Sequence, residues 1–200
     1  MRTILLVIAT VGMVAALPGR GSAQCALAPD AGCKHTTRVP SKTRIWIHEK
    51  TPAGFRNSIV WRWRHGDATS LADFGDPRSV DAYALCLYDA TPRLLFQGRV
   101  PAGGICGNGR PCWRQVAGRY YLYRNGQATP DGLTKIQLVP GTQGAANVIV
   151  KGRGAHLALP TLPLTPPVLV QLQASNGSCW EASYSTSVAN DAHKFIAGAD

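Results

Sequence analysis

Val168-Leu169-Val170-Gln171-Leu172-Gln173-Ala174 and Cys179-Trp180-Glu181-Ala182-Ser183-Tyr184-Ser185 flank the turn pair Asn176-Gly177, and this stretch decides the fold class. Asn-Gly between two alternating arms is a strong short-range signal for an antiparallel hairpin. A two-residue loop would set Leu172 opposite Glu181 and Val170 opposite Ser183, mixing apolar with polar. A three-residue loop over 176–178 sets Ala174, Leu172 and Val170 opposite Trp180, Ala182 and Tyr184, with Gln173 and Gln171 facing Glu181 and Ser183. A one-residue slip moves every side chain to the other face, so the second register, a bulged hairpin, is expected.

Working outward, seven further runs of this kind recur. Together with the hairpin arms the expected strands are 43–49, 59–65, 83–89, 93–99, 119–124, 133–139, 145–151, 168–174 and 179–185. They are rich in Val, Ile, Tyr and Trp, and Gly, Pro, Asn or Asp separates most of them. Outside residues 1–23 no segment carries a long apolar stripe at helical spacing. Ser70-Leu71-Ala72-Asp73 reads as one capped helical turn, and 190–195 as another. Short strands with turn signals and no βαβ spacing predict an all-β fold, a single antiparallel β-sandwich of jelly-roll or Ig-like type with about nine strands. Residues 160–167, with four Pro in eight positions, read as an extended crossover.

The first 23 residues read as a secretory signal peptide. Arg2 opens a positive region, 4–17 is unbroken apolar chain, and Gly21-Ser22-Ala23 supplies small residues for cleavage. The run is shorter than the roughly 20 residues of a spanning helix. A lipoprotein signal wants a small residue before its modified Cys, whereas Gln24 precedes Cys25. The expected organisation is therefore signal 1–23, a disulfide-clipped leader 24–41 and a sandwich domain 42–200, secreted or held in the periplasm or at the cell surface. Removing 1–23 leaves 19 Lys and Arg against 11 Asp and Glu, a balance of +8 over 177 residues. The positive residues are spread from Lys34 to Lys194 without a dense run, the pattern of a solvated surface.

All six cysteines, Cys25, Cys33, Cys86, Cys106, Cys112 and Cys179, lie beyond the signal, and an even number in an exported chain reads as disulfides. Spacing favours two local clips, Cys25 with Cys33 and Cys106 with Cys112. That leaves Cys86 and Cys179 as a long-range staple. A zinc site would want paired Cys-x2-Cys spacing or a nearby His pair, and the sequence has neither.

Familiar catalytic signatures are missing. His48-Glu49 begins like a zincin helix but lacks its second His. No Gly-x-Ser-x-Gly elbow or phosphate loop occurs, and nothing brings the two glutamates, Glu49 and Glu181, together across a sugar bond. No catalytic residue is assigned and no cofactor is expected, with Ca²⁺ as the one exception. Asp67, Asp73, Asp76 and Asp81 supply four carboxylates within fifteen residues, hard oxygen ligands of the kind Ca²⁺ takes. The competing reading has Asp73 capping a helical turn and Asp76-Pro77 making a β-turn.

Ile59-Val60-Trp61-Arg62-Trp63-Arg64 alternates cleanly, so Ile59, Trp61 and Trp63 share one face and Val60, Arg62 and Arg64 the other. Facing solvent, the two indoles would make a platform for sugar rings; facing inward, they are core, the favoured reading. Trp46, between Arg44 and His48, is the tryptophan most expected at the surface. Trp113 and Trp180 sit beside Cys112 and Cys179 and are expected to pack against their disulfides.

The motifs Cys25-x7-Cys33, Trp61-Arg62-Trp63 leading to Asp73-Phe74-Gly75-Asp76-Pro77, Tyr83-Ala84-Leu85-Cys86-Leu87-Tyr88-Asp89, Pro130-Asp131-Gly132, Lys151-Gly152-Arg153-Gly154 and Cys179-Trp180-Glu181 recur together. In this combination the chain resembles a family of bacterial exported proteins. The resemblance implies export and one β-rich module; it carries no activity, ligand or catalytic residue. The expected role is an extracellular binding or adhesion module for a glycan or acidic polymer. No nucleic-acid motif accompanies the charge, and no membrane-spanning helix is expected after signal cleavage. The alternatives are a secreted hydrolase or lyase acting on polysaccharide, and a structural surface or matrix module.

Overall fold

A computed structural model describes residues 23–38, 42–50 and 56–200. The expected signal segment, Ala23 apart, lies outside the described residues, as does the end of the leader at 39–41. The strands in chain order are β1 Arg44–His48, β2 Ser58–Gly66, β3 Tyr83–Tyr88, β4 Leu94–Val100, β5 Ile105–Cys106, β6 Arg110–Pro111 and β7 Trp113–Val116. They continue with β8 Tyr120–Arg124, β9 Leu133–Val139, β10 Ala146–Arg153, β11 Val168–Ala174, β12 Cys179–Tyr184, β13 Ala189–Asp191 and β14 Lys194–Gly198. All nine expected strands form, and β5, β6, β7, β13 and β14 are additional.

The strands build an antiparallel β-sandwich. One sheet has eight strands in the order β13-β14-β1-β2-β10-β9-β8-β7, the other four in the order β12-β11-β3-β4, and β5-β6 form a small flap. The core lies between the sheets: Ile47, Trp61, Trp63, Ile136 and Val150 from the larger meet Leu85, Val170, Leu172, Trp180 and Tyr184 from the smaller. Two indoles tie the layers together. Trp61 Nε1–H donates to Tyr184 Oη at 2.9 Å and Trp63 Nε1–H to the Glu181 carbonyl at 2.9 Å. Burying such rings with their N–H groups satisfied adds specific pairing to the hydrophobic gain.

The decisive hairpin has a three-residue loop, but one residue earlier than expected, over 175–177. Leu172 stands opposite Trp180 and Val170 opposite Ala182. The pairing differs from the expected one by two residues, so the apolar and polar faces are kept. Gly177 sets the position: at φ 85° it takes the left-handed conformation and donates its N–H to the Ala174 carbonyl at 3.0 Å. In the expected loop Ser178 would have held that place, and Gly is far better suited to it.

Two disulfide expectations need correction. The bonds are Cys25–Cys86, Cys33–Cys179 and Cys106–Cys112, so only the last of the three expected pairs forms. Cys86 lies on β3 opposite Gln171, and Cys179 on β12 opposite Gln173, with β11 between them. Two strand spacings separate them by roughly 10 Å, beyond the ~7 Å that a disulfide bridges. The leader instead crosses the outer face of the smaller sheet and bonds each of them in turn. Gln97, Gln173 and Gln171 accept from the backbone N–H groups of Cys25, Ala26 and Asp30 at 2.7, 3.2 and 3.0 Å. That cover explains why every residue of β3 is buried although strand residues alternate between faces.

The expected helical turn over 190–195 is not formed. β13 and β14 make a hairpin there, with Asp191 opposite Lys194 and the Asp191 carboxylate accepting the His193 N–H at 2.9 Å. A side chain that closes a turn in this way competes with helix. At Ser70 the expected capping bonds form, with Ser70 N–H donating to Asp73 Oδ2 at 2.7 Å and Asp73 N–H to Ser70 Oγ at 3.1 Å, but they close a turn over 71–74 and no helix. Residues 160–167 cross between the sheets, and Leu162 and Leu164 are buried along the way.

Candidate functional site

The smaller sheet is covered on its outer face by the leader, whereas among the described residues the flap stands at the β7 end of the eight-stranded sheet's outer face. Alternation and register decide what that face displays. One cross-strand row runs Arg44, Arg62, Ile149, Gln137, Leu122, Arg114. The next runs Ile196, Trp46, Val60, Lys151, Lys135, Arg124. Arg64, Arg153, His48 and Lys194 point the same way. Among the outward residues of these described strands the one carboxylate is Asp191, and it is engaged by Lys194 at 3.5 Å. The first row spans five strand spacings, about 24 Å.

Like charges therefore stand directly opposite one another. Lys135 faces Lys151 on β10 and Arg124 on β8, and Arg44 faces Arg62. Such pairs are destabilising. Burial first, and then the positive charges of Lys151, Arg124 and Arg62, hold the Lys135 ammonium below the ordinary lysine range. Trp46 sits half-buried in the second row with the Arg62 guanidinium 5.2 Å above its ring. At that distance the cation is attracted to the face of the ring.

At the β7 end the flap stands over the face and encloses a recess of about 380 Å³. Its walls are Arg110 and Pro111 of the flap, the Cys106–Cys112 disulfide, and the outward side chains Arg114, Leu122 and Arg124. Leu122 is 4% exposed but belongs to neither core cluster; it is the recess floor. The lining offers cations and apolar surface, with no carboxylate, imidazole or phenol.

The other expected site residues are placed differently. Trp61 and Trp63 are fully buried and offer no ring to a ligand; only Trp46 of the three reaches the surface. Trp113 and Trp180 lie in an aromatic chain with Phe74, Tyr83 and Tyr123, with ring centroids 4.8–6.3 Å apart. The four aspartates each have a separate partner. Asp67 accepts from the His35 N–H and the Gln143 amide, Asp73 from Ser70, and Asp76 from Arg78 at 2.8 Å, while Asp81 accepts the Asp76 N–H at 2.7 Å. Asp73 and Asp76 are held below the usual carboxylate range chiefly by those bonds from Ser70 and Arg78. Among the described residues no three His, Cys, Asp or Glu side chains converge as a metal would require.

The basic face was missed in the sequence because its members come from strands far apart in the chain and never form a run. The available signal was alternation itself: Arg62 with Arg64, and Lys151 with Arg153, already shared a side. Three disulfides suit an oxidising compartment, and no helix among the described residues is long and apolar enough to cross a membrane. No family model, curated protein or solved structure matches the chain.

Proposed function

We propose that this is an extracellular binding module that holds a linear acidic polysaccharide across the outer face of its eight-stranded sheet. The observation that carries this reading is the row Lys151, Lys135, Arg124: three cations placed side by side with no carboxylate among their outward neighbours. A chain that keeps such a destabilising arrangement gains from it only when an anion arrives. The extent of the rows, about five strands, suits a polymer better than a small solute. Trp46, half-buried with Arg62 over its ring, adds apolar surface beside a cation against which a sugar can pack. A strand face without a series of exposed aromatics suits sugar backbones better than nucleobases, which stack on such rings.

Titration of the chain without residues 1–23 with polygalacturonate and with a sulfated glycan, at several salt concentrations and with or without EDTA, tests the proposal. Salt-sensitive binding that survives EDTA, falls at least tenfold in Lys135→Gln/Lys151→Gln and is absent for a neutral polysaccharide supports it. Equal binding by the double variant refutes it. Tighter binding of single-stranded nucleic acid than of either glycan also refutes it, and binding of no polyanion at all favours a purely structural module.

A further inference from the structure

We infer that the recess under the disulfide-clipped flap is an end subsite that takes one anionic sugar unit, carrying a carboxylate or sulfate, at the terminus of the bound chain. The inference rests on the polysaccharide reading above and adds to it where, and with what chemistry, the chain ends. Three arginines, Arg110, Arg114 and Arg124, line the recess. Arg110 comes from the flap and the other two from the outward side of β7 and β8, so two separate elements supply the cations. Guanidinium presents paired N–H groups that match the two oxygens of a carboxylate or sulfate. Lys34, Arg78, Arg93, Arg99 and Lys194 each have an Asp partner; no acidic residue lines this recess.

The floor is as informative as the walls. Leu122 below, with Pro111 and the Cys106–Cys112 bridge in the walls, adds apolar surface beside the cations, which a bare inorganic anion would leave unused and a pyranose ring would cover. A volume near 380 Å³ lies at the lower end of small-ligand pockets, suited to a single ring. The recess also continues the row through Arg124 to Lys135 and Lys151, so a chain with its end here lies over the basic face. β7 is the edge strand of the sheet, so the cross-strand rows end at this recess, which makes it a terminus of the basic face.

The test compares short and long probes. Trigalacturonate, a sulfated trisaccharide of the same length and full-length polygalacturonate are titrated by calorimetry into the intact chain and into Arg110→Gln and Arg114→Gln, whose exposed side chains leave the fold unburdened. Each variant is expected to lose at least tenfold in affinity for one or both trisaccharides and less than threefold for the polymer. The trisaccharide that binds more tightly distinguishes carboxylate from sulfate. Equal trisaccharide binding by both variants and the parent overturns the end subsite, as does polymer binding without any trisaccharide binding; either result leaves the basic face standing. Loss of polymer binding by the parent chain overturns the face itself and the subsite with it.

Discussion

Replacing Lys135 with Met is expected to raise stability and weaken polyanion binding together. Lys135 makes two like-charge cross-strand contacts, with Lys151 and with Arg124. Pairs of this kind change stability by about 0.2–1 kcal/mol each, so relieving both is expected to gain roughly 1 kcal/mol, or about 2–4 °C in Tm for a domain of this size. Met keeps the apolar stem that the half-buried lysine lays on the sheet. The pH dependence has a fixed sign. The folded-state pKa lies below the ordinary value of 10.5, so the protonated amine costs stability at neutral pH, and that cost disappears as pH rises through the folded pKa toward 10.5. The gain from Lys135→Met is therefore expected at pH 7 and absent above about pH 11. It is also expected to shrink between 0.1 M and 1 M salt, as the Debye length falls from about 10 Å to about 3 Å. Thermal unfolding across this grid, with glycan titration beside it, provides the check. Loss of one cation should make log affinity less steep against log salt by about 0.7–0.9. A Met variant that is less stable at every salt concentration, or whose gain ignores salt, would refute the claim that this face stores repulsion; a gain with undiminished polyanion affinity would show that the cluster is not the binding surface.

Three other outcomes are expected. In the chain-entropy model, removing Cys33–Cys179, with its sequence separation of 146, costs about 5 kcal/mol, and removing Cys25–Cys86, with separation 61, about 4 kcal/mol; denaturant unfolding of the paired Ser variants measures both. Removing Cys106–Cys112, with separation 6, costs less global stability, about 2 kcal/mol, but releases the flap, so trisaccharide affinity falls more than stability does. Gly66→Ala places a Cβ 1.8 Å from the Trp63 ring, which must move within a closed core; a loss of about 3 kcal/mol or failure to fold is expected in chemical denaturation. Asp89 is held at about 2, first by its bond from Thr91, and Asp73 and Asp76 also lie below 3.8, so the stability they contribute is full above pH 3.8 and lost as pH falls toward 2; circular dichroism should show acid unfolding confined to that window, with Asp89→Asn flattening part of it.

Much of the strand pattern was legible because alternation is a local property. The 59–64 segment shows it: placing Trp61 and Trp63 on one side and Arg62 and Arg64 on the other requires only that the segment be a strand. Which side met the core was then a matter of area, since two indoles outweigh Val60 when one face must be buried. The missed strands β5 and β6 are two residues long and contain Cys, Arg and Pro, too short for any period to appear. β14 alternates well enough, but Asp191 and Asn190 before it looked like a helix start when they close a turn. The face positions of the β11–β12 hairpin followed from the sequence, while its register depended on the left-handed conformation at Gly177.

Residue order alone determined the class of the fold, the inward and outward sides of nearly every strand, the presence of paired cysteines and the excess of positive charge. These follow from periodicity and composition, which no later folding step can change. Only tertiary structure decided which cysteines meet and where the charge gathers. Both depend on the order of strands within the sheets, a relation among segments far apart in the chain. β11 between β3 and β12 keeps Cys86 from Cys179 and turns each toward the leader. Placing β8, β9 and β10 side by side converts scattered single cations into the row Arg124, Lys135, Lys151, because strands less than 5 Å apart in space bring together residues that the sequence holds 11 to 16 positions apart.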